Sequence, residues 1–238
     1  MVSRSDRKAL SLSNSDLVPD DFSGLTHLFP LPDLVMFPHV VQPLRVFEPR
    51  YVEMFEAALA DDHLISMAVL ESGWESEYAM EPPIHPVCCL GRIISHDKQP
   101  DGTYNFLLAG VQRVRVIQEH ETESPFRSAD VELVEDIYQS IPSEVDRSLQ
   151  EEILVSFRSL TPDGGVAHES LEKLIEERLS LGALTDIVGY SAPLPTEQKL
   201  RLLGEFDVRR RADLLIESLK QSLVEPNAKV FPPEFSNN

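Results

Sequence analysis

Cysteine is almost missing from this 238-residue chain: Cys88 and Cys89 are the only two, and they are adjacent. Neighbouring thiols make neither a CxxC metal knuckle nor a loop-closing disulfide, so a disulfide-stapled fold is not expected. On a strand their side chains would point to opposite faces, which predicts one buried sulfur and one partly exposed. Long apolar runs are lacking as well. No stretch approaches the roughly 18 residues that span a bilayer, and the polar start from Met1 to Asp21 has no signal-like apolar segment. A cytoplasmic protein is therefore expected. Positive charge is scarce: 21 Lys and Arg stand against 40 Asp and Glu, a formal net charge of -19. That balance repels phosphate backbones and anionic lipid, so neither nucleic acid nor membrane is an expected partner. The densest basic run, Arg209-Arg210-Arg211, cannot share one helix face, because each residue turns by about 100°. A solvated face with one arginine turned inward is expected.

Signatures of catalysis are missing too. There is no Gly-x-x-x-x-Gly-Lys-[Ser/Thr] loop, and Gly164-Gly165 is followed by no lysine; Gly-x-Ser-x-Gly, His-Glu-x-x-His and calcium-loop patterns are also absent. His27, His39, His63, His85, His96, His120 and His168 lie too far apart in sequence to make a local two-ligand site. No metal and no cofactor is expected. Among 40 carboxylates, pairs such as Asp61-Asp62 and Glu151-Glu152 read as solvated surface.

What is present is an ordered change of periodicity. Residues 1–24 are polar and aperiodic, read as a mobile arm. From Leu25 the patterns are extended: Leu28 to Pro32 carries two prolines that forbid a helix interior and leave an extended strand or a sheet edge, and Leu34 to Val41 continues extended. Tyr51, Met54, Phe55, Ala58 and Leu59 make a helical stripe from about Glu48 to Ala60, with Pro49 in the first turn. His63 to Leu70 reads as a buried strand, and Glu71 to Pro86 as a long loop. A hairpin follows, Val87 to Lys98 and Thr103 to Ala109 around Pro100-Asp101-Gly102, then Val111 to Glu119 and Arg127 to Val134. Gly91 and Gly110 mark a bulge or a close backbone approach. Beyond Pro142 the periods are helical. The stripes are Val145, Leu149, Ile153 and Phe157, then Leu171, Leu174, Ile175 and Leu179, with a short helix at Leu184, Ile187 and Val188. Thr196 and Asp207 are the expected N-caps of the last two helices. Strands first and helices afterwards predict an α+β fold with a boundary near residue 141. The reading is a β-rich lobe over 25–141, a helical lobe over 142–223 and a loose tail over 224–238, where Phe231 and Phe235 either dock in a groove or make casual contacts.

The run from Phe29 to Leu44, FPLPDLVMFPHVVQPL, resembles the opening of the N-terminal domain of Lon-type proteases. So do Val87 to Ile94, Pro100-Asp101-Gly102-Thr103 and Gly110-Val111-Gln112-Arg113-Val114-Arg115-Val116, in the family's order. Leu194 to Leu203 and Asp207 to Leu219 are similar to its last two helices, so the resemblance covers about residues 28–222. It implies a twisted, largely antiparallel β lobe, a PUA-like pseudobarrel with one helix, followed by a helical bundle. It also implies binding of unfolded or hydrophobic polypeptide segments, which in full-length Lon feeds an ATP-driven unfoldase and a Ser-Lys peptidase. Neither of those parts is recognisable here, so the expectation is a stand-alone, non-catalytic substrate-recognition module, an adaptor in protein quality control with a Lon-type ATPase as a candidate partner.

For the binding surface, Trp74, Tyr78 and Met80 on the long loop are the first candidates, since aromatics and methionine suit adaptable recognition. The other reading is that they cover the core beneath the loop. Met36 and Phe37 are a second candidate, set against the demand of a buried strand for the same residues. The alternative function is a small-molecule or modifying enzyme using a cleft between the lobes. RNA binding through a PUA-like lobe rests on fold analogy and meets the charge objection.

Overall fold

The computed structural model describes residues 18–76, 81–121, 123–139, 144–160 and 179–224. The helix expected over Leu171 to Leu179 lies almost wholly outside them, as do the tail with Phe231 and Phe235 and residues 1–17. The chain divides into two compact units between Glu135 and Asp136.

The first unit is built on six strands and one long helix: β1 (Leu25–Leu31), β2 (Val41–Val46), α1 (Pro49–Ala60), β3 (Leu64–Val69), β4 (Val87–Lys98), β5 (Tyr104–His120) and β6 (Ser128–Val134). The order is β2-β5-β4-β3-β1-β6, and β5 also pairs with β6, so β5, β4, β3, β1 and β6 close a ring. All pairings are antiparallel except β1 with β3. Val18 and Phe22 already pack on this unit, so order begins before Leu25; two apolar side chains in a polar stretch leave no periodic trace.

Burial explains why the strands look as they do. Tyr51, Met54, Phe55 and Ala58 of α1 are buried and join Phe29, Ile65, Met67, Cys89, Phe106 and Leu108 in one cluster. Alternate residues of the same strands, Leu28, Leu64, Ala68, Cys88 and Leu90, join Val114, Ala129 and Val131 in a second. With both faces covered, all six residues of β3 are buried, and the strand reads as a continuous apolar run. The same coverage corrects the cysteine expectation. Cys88 and Cys89 do point to opposite faces, but both are fully buried, and burial pushes the Cys88 thiol up to about 12.

Strand β5 is one continuous element where two strands broken at Gly110 were expected. Its first half, Tyr104–Ala109, pairs with β2, and its second, Arg113–His120, with β6, while β4 runs along the other side. Register shifts at Leu90/Gly91, Ile93/Ser95 and Val116/Gln118 let it bend between these partners. Gly110 sits where the chain at Phe37 to Val40 presses on the strand. Its N–H donates to the Val40 carbonyl at 2.7 Å, and the His39 N–H donates to the Gly110 carbonyl at 3.0 Å. A Cβ on Gly110 would overlap the Phe37 carbonyl oxygen. His39 takes φ 65° in making this turn, a left-handed conformation that costs a non-glycine residue about 1 kcal/mol or more.

The second unit contains α2 (Glu144–Leu160), α3 (Leu181–Ser191), α4 (Thr196–Leu203) and α5 (Val208–Val224). It starts at Asp136, whereas the change from strand to helix periodicity places the boundary near residue 141. Ile137 bridges to Asp207, and Gln139 Nε2 donates to Asp207 Oδ2 at 2.7 Å. Asp207 caps α5 by accepting from the N–H groups of Arg209 and Arg210 at 3.0 and 3.1 Å. Thr196 does not cap α4: Pro195 holds that position with no side-chain bond, and Thr196 is already helical.

The three arginines diverge as their helical spacing requires. Arg210 is exposed, and Arg209 Nε pairs with Asp146 of α2 at 2.7 Å. Arg211 is fully buried. It binds Asp136 through both terminal nitrogens at 2.8 and 2.5 Å, the Thr185 hydroxyl through Nε at 2.9 Å and the Glu205 carbonyl at 2.9 Å. Buried Asp186 lies 3.5 Å from its Nε.

Gly110→Ala is expected to lose about 2–3 kcal/mol in urea unfolding, the cost of forcing an extra carbon into a packed contact. Gly73→Ala, where nothing lies within 4 Å but φ is 92°, should lose only about 1 kcal/mol from its backbone. Arg211→Met is expected to cost about 3–5 kcal/mol, because it leaves Asp186 and Asp136 without their cation. Adding Asp186→Asn should recover part of that loss.

Candidate functional site

In the first unit, the start of α1 meets the ends of β1 and β3 and two loops around a small pocket. Its apolar lining is Pro30 of β1, Tyr51 of α1, Leu70 just after β3, Pro82 from the long loop, and Pro125 with Phe126 from the turn before β6; Arg50, Glu81 and Arg127 complete it. The chemistry of each wall is local. Tyr51 is held by Phe29, ring centroids 4.8 Å apart, and the Arg50 guanidinium lies over its ring, 4.6 Å from the centroid. Phe126 meets His27 edge-on at 4.9 Å, and His27 Nδ1 is 3.0 Å from the Ser128 hydroxyl. Burial pulls His27 below its ordinary pKa, against the nearby charges of Asp62 and Asp61.

Both arginines of the pocket are committed to neighbours. Arg50 pairs with Glu48 at 3.0 Å. Arg127 is held by both carboxylate oxygens of Glu119 at 2.7 and 2.6 Å, and donates to the Pro82 carbonyl at 2.8 Å. That last bond ties the end of the long loop to the β6 side of the pocket. The cavity has about 30 Å³, far below the roughly 300–1,000 Å³ of small-molecule sites. It offers a seat for one small apolar side chain. Its lining holds no Ser, Cys, Thr or Lys nucleophile, and among the described residues no group of three His, Cys, Asp or Glu could hold a metal ion. No helix among them is long and apolar enough to cross a membrane.

The sequence-derived candidates divide. Trp74 opens a short 3-10 turn, Trp74–Ser76, and is half-buried; it does not line the pocket. Tyr78 and Met80 lie outside the described residues. Met36 and Phe37 need correction, since both are buried, at 1% and 0% exposure, and have no surface to offer a partner. The hydrogen bonds between His39, Val40 and Gly110 hold their segment against β5, and the apolar density that suggested a surface is the density of a core. The residues that do form the pocket were missed for different reasons. Tyr51 lies in the core stripe of α1, and Pro30, Pro82 and Pro125 read only as breaks in secondary structure. Arg127 is one more charge until its Glu119 and Pro82 partners are seen.

The second unit holds a buried lysine that no sequence pattern marked. Lys199 of α4 is 7% exposed, its Nζ donates to the Tyr190 carbonyl at 2.6 Å, and it lies 5.5 Å from the Tyr190 ring. Burial pulls Lys199 down to about 8 and pushes the Tyr190 hydroxyl up to about 12. Between about pH 8 and the unfolded value near 10.4, the unfolded lysine keeps a proton that the folded one has released, so this group makes stability rise with pH. Urea unfolding from about pH 7.5 to 10 should show wild type gaining about 2–3 kcal/mol relative to Lys199→Met across that window. A flat difference between the two would remove the buried-charge assignment.

A family model described as the ATP-dependent protease La (LON) substrate-binding domain matches residues 26–221, which takes in both units. The chain is 29% identical over 215 residues to Lon protease 2 of Herpetosiphon aurantiacus, covering 86% of this chain and 25% of that protein. With the Lon protease of Xanthomonas oryzae pv. oryzae it shares 30% identity over 197 residues, covering 79% and 22%. It thus spans about a quarter of the length of these curated relatives. Among solved structures, the Lon N-terminal domain protein from Xanthomonas campestris is similar with a TM-score of 0.59 and 22% identity, over 81% of this chain and 97% of that one. The N-terminal domain of the Mycobacterium avium complex Lon protease gives a TM-score of 0.62 and 17% identity, over 82% and 98%. At these identities the two structures speak for the fold.

Proposed function

The chain belongs to the family of ATP-dependent protease La (LON) substrate-binding domains, and from that membership we propose that it is a non-catalytic module that binds exposed apolar segments of polypeptides. The observation that carries the proposal is the match across residues 26–221. In this reading the module acts as an adaptor in protein quality control, presenting bound segments to a Lon-type ATPase. The docking surface is the pocket of the first unit, with its lining of Tyr51, Leu70, Pro82 and Phe126. Trp74, on the same long loop, is a further candidate contact, with Tyr78 and Met80 kept as candidates from the sequence alone.

Hydrogen exchange tests this directly. The protein is measured alone and with a reduced, alkylated, permanently unfolded polypeptide. Protection is expected at the amides of Glu81, Phe126 and Arg127 and of Arg50 to Val52 in the first turn of α1, since the prolines beside them carry no exchangeable N–H. The single tryptophan, Trp74, gives an independent fluorescence titration of the loop. Phe126→Ala should weaken binding about three- to tenfold, the loss of one aromatic contact at a docking surface. Absence of both binding and protection would reject the polypeptide-binding reading, as would steady ATP or peptide hydrolysis by the purified protein.

A further inference from the structure

The pocket also says which polypeptides it should prefer. Resting on the polypeptide-binding reading, we propose that this surface selects extended segments in which a small apolar residue or proline is flanked by lysine or arginine. The apolar floor is small, with room for one compact side chain, so most of the discrimination between segments falls to the rim.

The charged side chains that line the rim are Arg50, Arg127 and Glu81. Its two cations are neutralised from within, Arg50 by Glu48 and Arg127 by the two-oxygen grip of Glu119. On the two loops that supply the walls, Glu71, Glu75, Glu81, Glu121 and Glu123 are all exposed. Among the described residues none of these five has an ion-pair partner. The loop from Glu71 to Pro86 contains no Lys or Arg at all. Glu81 lines the pocket itself, Glu71 is bonded through its N–H to the Pro83 carbonyl at 2.9 Å, and Glu123 is close in sequence to Pro125.

A carboxylate at the edge of an apolar seat attracts a cation on the incoming chain. At exposed sites each such attraction is modest, and salt screens it within about 8 Å at physiological ionic strength. Several of them acting together bias both encounter rate and partner choice. A segment with acidic flanks meets the same rim as repulsion, so the surface discriminates as much by exclusion as by attraction.

Two fluorescein-labelled heptapeptides sharing a Leu-Pro-Val centre test the idea, one flanked by lysines and the other by glutamates. Fluorescence anisotropy with the full chain is expected to show the lysine peptide binding about tenfold tighter at low salt, with the gap shrinking to about threefold or less near 0.5 M. The variant Glu81→Gln/Glu123→Gln changes only exposed side chains, and its circular dichroism and unfolding midpoint verify the fold. It should narrow the low-salt gap to about threefold or less. Equal binding of the two peptides at low salt overturns the selectivity while leaving polypeptide binding intact. A gap that the double variant does not change overturns the assignment to this rim. If neither peptide binds, and the unfolded polypeptide of the exchange experiment does not bind either, the underlying function fails with it.

Discussion

Gly110 has no side chain, and the Phe37 carbonyl occupies the space one would take. Most of the first unit follows from that contact. It lets the segment from Phe37 to Val40 lie on β5 and hand the chain to β2, whose whole length pairs with the first half of β5. It leaves the second half of β5 free to turn toward β6 and complete the ring of strands. A closed ring has few edges to protect. Among the described strands β2 alone has a single strand neighbour, and Pro43 interrupts its supply of N–H donors. Held inward by the same contact, Met36 and Phe37 belong to the core.

The second unit is organised around a charge. Arg211 is fully buried, and its partners come from three places in the chain: Asp136 at the start of the unit, Thr185 and Asp186 on α3, and the Glu205 carbonyl before α5. Gly182 is needed where this cluster is tightest, since a Cβ there would meet the Tyr138 hydroxyl and, at 2.7 Å, Asp136 Oδ2. A buried ion pair of this kind adds little net stability over a well-packed apolar cluster. What it does is fix which segment lies against which helix, because any other register leaves a charge without its counter-ion. Arginines in the first unit work in the same way at the surface. Arg127 joins Glu119 to Pro82 and so shapes the pocket wall, and its pairing leaves Glu81 as the carboxylate of the lining.

Legibility in the sequence tracked the range of the interaction. The helical stripe of α1, the full span of β4, the Gln99 to Thr103 turn and the Asp207 cap depend on residues within a few positions of one another, and each was readable. The described parts of the long loop, residues 71–76 and 81–86, were readable as lying outside long helices and strands. The loop's role as a pocket wall was not, because that role depends on a hydrogen bond between Pro82 and Arg127, which are distant in sequence. The choice between surface and core for Met36 and Phe37 had the same difficulty: an apolar run describes both, and only the strand it lands on distinguishes them. Cys88 and Cys89 show the limit most simply. Their opposite orientation is a property of a strand, but the burial of both follows from α1 and a second cluster covering the two faces.

What the sequence by itself determined is the α+β class, the order of strands before helices, the family resemblance, and the excess of negative charge. All of these reside in local periodicity, motif order and composition, which survive without a third dimension. The tertiary structure alone decided the closure of the ring through β5, the burial of Arg211 and Lys199, and the meeting of Tyr51, Pro82, Phe126 and Arg127 around one pocket. Each of those depends on contacts between residues far apart in the chain, where desolvation and pairing are set by neighbours that no local pattern names.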